Sequence, residues 1–168
     1  MRVEDNSSLT KAINNSDNVI GFINIDPKNF LSTKYGFKKT EKYRAKFLLE
    51  TISDLKSQLD KLNISLIITH KDFGQSINEI IDQFEVTSIY TQTEWTRDEL
   101  KEESFIPKEI NLIKDFDQFL FSPNDVRSLY ENIPRGFSNF RKKCEKYLSV
   151  NDTLSIPKSL NLDNKISI

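Results

Sequence analysis

The sequence has 168 residues but one cysteine, one histidine, one tryptophan and four glycines. A single cysteine, Cys144, excludes an internal disulfide, and without a cysteine–histidine cluster a structural zinc site has no ligand set. His70 has no nearby cysteine or Asp–His pairing, so nothing supports a nucleophilic triad. The four glycines are scattered and spell neither the dinucleotide fingerprint nor the phosphate-binding P-loop, which counts against an autonomous nucleotide-dependent enzyme. No apolar run approaches the length of a membrane span. The opening "MRVEDNSSLT" is polar and acidic, unlike a secretory signal, and a cytoplasmic location is expected. Neither charge sign dominates. Lys and Arg total 24 and Asp and Glu 25, a net charge of −1, so the overall charge does not mark a nucleic-acid binder.

Against these absences stand four short runs rich in Ile and Val: Asn18 to Asp26, Ile64 to His70, Val86 to Gln92 and Glu109 to Asp115. They alternate little, as strands do when both faces of a sheet are covered. Helical stretches lie between them. Leu48, Ile52, Leu55, Leu59 and Leu62 are spaced four, three, four and three apart, one face of a helix. Thr40 is expected to cap that helix, with Glu41 in its first turn, and Gly36 to permit the preceding turn. A second helix is expected over about Gln75 to Phe84, with Ile77, Ile80, Ile81 and Phe84 inward. A third, short and polar, starts at Thr96, "SPNDV" reads as a turn into a short helix, and "FSNFRKKCEKYL" is helical again. Strand–helix alternation implies an open parallel α/β sheet with helices on both faces. The domain is expected over 1–148, and 149–168 reads as a connector or loose tail.

Several polar residues are candidates for chemistry. Glu94 follows the third strand at the carboxyl end of the sheet, where ligands of open α/β folds bind. Asp5 and Asn6 suit capping of a helix beginning at Ser7 or Ser8. Asp26 and Asp72 also follow strands, where turn formation is the commoner role of aspartate. Arg135, Arg141, Lys142, Lys143 and Lys146 interleave with Phe137, Phe140 and Tyr147. A nucleic-acid contact and the solvated basic face of an amphipathic helix are both open to this cluster, and the interruption by Glu145 favours the second.

Five segments resemble, in order, the N-terminal α/β domain of the photolyase/cryptochrome family, DASH-type cryptochromes above all: "MRVEDNSSL", "NIDPKNF", "GFKKTEKYRAKFLLETISDLKSQL", "IYTQTEWTRDE" and "PRGFSNFRKKCEK". The third carries Glu41 where the family usually has glycine. The resemblance implies a Rossmann-like fold in which the long "GF" loop and its helix are scaffold. It also implies that the family's first strand is missing ahead of Arg2. With a strand order of 3-2-1-4-5, that loss would leave a gap between two hydrogen-bonding edges, so the chain is expected to begin upstream, to close the gap abnormally or to fold poorly alone. The family's flavin-binding helical domain is not in this sequence either, so the chain is expected to be an isolated, split or decayed antenna-type domain, not catalytic alone. FAD, and DNA with it, would then come only through a separately encoded helical partner. In that setting Glu94 is the candidate contact for an antenna folate such as methenyltetrahydrofolate. Light-driven repair of pyrimidine dimers together with a partner chain, or a small nucleotide-binding module, are the alternative readings.

Overall fold

The computed structural model describes residues 1–161 together with Asn164 and Ile166. Helix α1 (Ser7–Asn15) precedes strand β1 (Gly21–Asn24), a 3-10 turn (Pro27–Phe30), α2 (Lys42–Asp60), β2 (Leu66–Thr69) and α3 (Phe73–Phe84). Then come β3 (Ser88–Gln92), α4 (Arg97–Glu103), β4 (Asn111–Asp115), α5 (Pro123–Leu129) and α6 (Phe137–Tyr147). Each expected strand is present but shorter, β1 and β2 trimmed at both ends and β3 and β4 at their start.

The four strands form two separate parallel pairs, β1 with β2 and β3 with β4. Gly21 is in register with Leu66, and Ser88 with Asn111. Right-handed crossovers place α1 and α2 on one face of this split sheet and α3 and α4 on the other. The burial agrees. Val3, Ala12, Val19, Ile52, Leu59, Leu62, Ile64 and Leu66 form one core cluster, with Leu48 and Leu55 packed against it. The apolar stripe of α2 is therefore its buried face. Ile77, Ile80 and Ile81 of α3 are also buried. Gly74 opens α3 against the end of α4, where a Cβ would lie 2.8 Å from a ring carbon of Phe105. Strands β1 and β3 are only half-buried along their whole length. Burial on both faces is not reached, because the space between the two pairs holds no strand among the described residues.

Local signals set most of the helix ends. Asn6 caps α1 by accepting from the Leu9 N–H at 2.9 Å, and Asp5 beside it takes a positive φ of 51°. Thr96 begins α4, and Glu99 accepts from its N–H at 3.3 Å, a capping box. Ser122 and Pro123 open α5. The start of α2 differs from expectation by one residue. Glu41, not Thr40, is its N-cap, and no acidic side chain stands in the first turn. Thr40 is buried and its N–H donates to Asn29 at 2.9 Å, so the loop holds it in place of the helix.

Gly36 has a φ of +84° and closes a turn onto Thr33 at 3.0 Å. A Cβ there would meet nothing within 4 Å, so Gly36→Ala tests backbone strain alone. It is expected to lower stability by about 1 kcal/mol in urea unfolding. An unchanged midpoint would show that the turn relaxes without cost.

From Leu148 to Asn161 the chain has no regular element, yet it returns to the domain. Leu154 exchanges hydrogen bonds with Asp5, its N–H meeting the carboxylate at 3.0 Å, and the Leu160 N–H donates to Leu62. The Asn164 amide is buried, accepting from Val19 N–H at 2.6 Å and donating to the Val19 and Asn63 carbonyls. The remaining residues of the connector read over 149–168 lie outside the described set.

Candidate functional site

The carboxyl ends of the strands gather most of the polar residues singled out from the sequence. At the end of β1, Asp26 caps the 3-10 turn by accepting from Lys28 N–H at 2.8 Å. At the end of β2, Asp72 caps α3, accepting from the N–H groups of Gly74 at 3.0 Å and Gln75 at 3.4 Å. Its carboxylate also pairs with the Lys28 ammonium. That hydrogen bond, with those from the helix N–H groups, holds Asp72 below the usual carboxylate range, and the same pairing raises Lys28. Both aspartates therefore serve turns and caps. His70 is exposed, with Nδ1 2.8 Å from the Ile25 carbonyl and its ring edge-on to Phe30. It ties together the ends of β1 and β2.

The end of β3 is different. Glu94 is half-buried, and no side chain or backbone group among the described residues hydrogen-bonds or ion-pairs with its carboxylate. The next residue, Trp95, stacks on Phe116 from the loop after β4, with centroids 5.7 Å apart and planes at 22°. Phe119 meets the same indole edge-on at 5.8 Å. Trp95 and Phe119 remain about half exposed. An unpartnered carboxylate thus adjoins an aromatic shelf open to solvent. A flat heteroaromatic ring carrying N–H donors could use both, stacking on the rings and donating to the carboxylate. Phe116 and Phe119 escaped the sequence reading because only the parallel pairing of β3 with β4 brings their loop beside Trp95.

Nearby, the buried Asp115 side chain ends β4 and pairs through one oxygen with Lys11 of α1, and its other oxygen has no partner. Asp117 accepts from both the N–H and the hydroxyl of Ser7, at 2.7 and 2.6 Å, and so anchors the start of α1. Among the described residues no cluster of three or more His, Cys, Asp or Glu could hold a metal ion, and no helix is long and apolar enough to cross a membrane.

Arg141, Lys143 and Lys146 of the basic cluster are engaged locally on α6. Arg141 pairs with Glu145 at 3.4 Å. Lys143 donates to the Leu129 carbonyl at 2.9 Å and lies 4.3 Å from the Tyr130 ring centre. Tyr130 in turn stacks on Phe140. Cys144 on this helix is completely buried.

A profile of the DNA photolyase family matches residues 1–158. The chain belongs to that family. Its relatives include a cryptochrome DASH of Gloeobacter violaceus, 29% identical over 165 residues, covering 95% of this chain and 33% of the relative. A Xenopus laevis cryptochrome DASH is 27% identical over 168 residues, covering 95% and 32%. The crystal structure of the Synechocystis sp. PCC6803 cryptochrome superposes with a TM-score of 0.84 at 28% identity, over 95% of this chain and 34% of that one. An archaeal photolyase from Sulfolobus tokodaii shares the fold with a TM-score of 0.76 at 20% identity, over 98% and 37%. That protein was solved with two FAD molecules, with the implication of a novel light-harvesting cofactor. The chain spans about a third of the length of the relatives it matches, and corresponds to their α/β domain.

Proposed function

We propose that this chain is an antenna-type α/β module of a DASH-like cryptochrome. It contributes one wall of a chromophore pocket and acts with a flavin-binding helical domain. The observation that carries this reading is the half-buried, unpartnered Glu94 next to the Trp95–Phe116–Phe119 shelf, at the carboxyl end of the sheet. A pterin offers a flat ring for the shelf and amino and ring N–H donors for the carboxylate, which makes a folate such as methenyltetrahydrofolate the favoured ligand. A partner domain would also cover apolar side chains that a free domain leaves in water. Tyr43 and Phe47, one helical turn apart on α2, are 85% and 70% exposed, and Tyr35 and Phe37 stack together in the loop ahead of them. With flavin and DNA held by that helical domain, light-driven chemistry would belong to the two domains together.

The test titrates methenyltetrahydrofolate into the chain, alone and with a DASH-type helical domain added, following the ligand's absorbance and Trp95 fluorescence. Binding is expected to be tighter with the helical domain present. Glu94→Gln is expected to weaken it about tenfold, the effect of losing one charge-assisted hydrogen bond. Equal binding by the variant would remove Glu94 from the pocket. No binding with both proteins folded and associated would remove the antenna role.

A further inference from the structure

From Lys114 to Gln118 the side chains go alternately to two sides, as they do along an extended chain. Lys114, Phe116 and Gln118 reach the segment from the end of β3 into α4. Lys114 pairs with Glu103 at 2.8 Å, Phe116 stacks on Trp95, and Gln118 donates to the Gln92 side chain at 3.3 Å. Asp115 and Asp117 reach α1 on the other side, where they meet Lys11 and Ser7. The ring that stacks on Trp95 therefore stands between two carboxylates anchored to α1.

The two anchors differ in what they hold. Asp115 is already fixed by the β3–β4 ladder, and the Thr93 N–H donates to its carbonyl at 2.7 Å. Beyond that bond, two polar ties hold the shelf loop among the described residues. The Gln118–Gln92 contact is exposed, neutral and long. Asp117 is half-buried and accepts from the Ser7 N–H at 2.7 Å and from the Ser7 hydroxyl at 2.6 Å. Both bonds are charge-assisted, and they lie at the positive end of α1. Asp117 is thus the stronger tie by charge, by length and by burial.

We propose that Asp117 is the positioning residue of the aromatic shelf. It touches neither Trp95 nor a ligand. By clamping the loop to the start of α1 it holds Phe116 flat on the indole and Phe119 edge-on to it, and so sets the stacking surface beside Glu94. Its effect on ligand rests on the antenna reading above, whereas its effect on the shelf does not.

Trp95 is the one tryptophan of the sequence, so the tryptophan band in near-UV circular dichroism reports the shelf of the full chain without any ligand. Asp117→Ala is expected to lose most of that band and to shift Trp95 emission to the red, with the far-UV spectrum unchanged. It is also expected to weaken methenyltetrahydrofolate binding about tenfold, the worth of one strong aromatic stack. Asp117→Asn still accepts from the Ser7 N–H and can donate to the Ser7 hydroxyl, so it is expected to keep the band. Ser7→Ala removes the hydroxyl bond alone and is expected to lose part of the band; it decides the matter should Asp117→Ala not fold. An unchanged band in folded Asp117→Ala, or in Ser7→Ala where that variant decides, would overturn the proposal. So would equal losses in Asp117→Asn and Asp117→Ala, which would make charge rather than placement the cause. A band lost in Asp117→Ala, with no folate bound even by the unaltered chain, would sink the antenna reading and leave the positioning role standing.

Discussion

Ile64→Ala is expected to lower the stability of this domain by about 3 kcal/mol, enough to reduce Tm by roughly 6–12 °C in a chain of this length. Ile64 is 1% exposed and sits where the turn after α2 enters β2, with its N–H donating to the Leu59 carbonyl at 3.0 Å. Its side chain joins α1, α2 and β2 in one cluster, so its removal opens a cavity that three elements would have to close together. Single domains have only about 5–15 kcal/mol in total. Ile64→Val, which removes one methylene, should cost about 1 kcal/mol. Urea unfolding of the three proteins decides the matter. A loss under 1 kcal/mol for the alanine variant would mean that the cluster is loosely packed and that the domain is held together elsewhere.

Lys11→Met is the second large effect, expected to cost about 2 kcal/mol at neutral pH. Asp115 is 9% exposed, and Lys11 is the cation that meets its carboxylate, while its second oxygen has no partner. Taking away the ammonium leaves a buried charge uncompensated at the junction of α1 and β4. The loss stays below that of a fully buried pair because the Lys11 side chain is half in water. Methionine keeps the apolar stem of the lysine, so packing changes little. The double variant Lys11→Met with Asp115→Asn is expected to recover most of the loss, since it removes the charge as well as its partner. Additive losses in the double variant would show that the pair contributes little and that each residue acts through its own packing.

The parts of the protein fixed by local physics were legible from residue order alone. The spacing from Leu48 to Leu59 fixed the buried face of α2, because helical period and burial are one constraint, while Leu62 falls in the turn just past the helix. Asn6, Thr96 and Ser122 start helices where a side-chain oxygen or a proline at the next position favours it. Glu94 was marked by its place after a strand. Thr40 was misplaced by one residue, since a tertiary bond from its N–H to Asn29 competed with the helix cap. The aromatic shelf is a tertiary fact. Trp95 and Phe116 are far apart in sequence, and strand pairing alone sets them face to face. So is the pairing of the strands, since the register of β1 with β2 and of β3 with β4 is set by packing between distant segments. Residue order specifies helices through contacts within one or two turns. The pocket wall is made of groups from distant elements, and only their packing decides what those groups can bind.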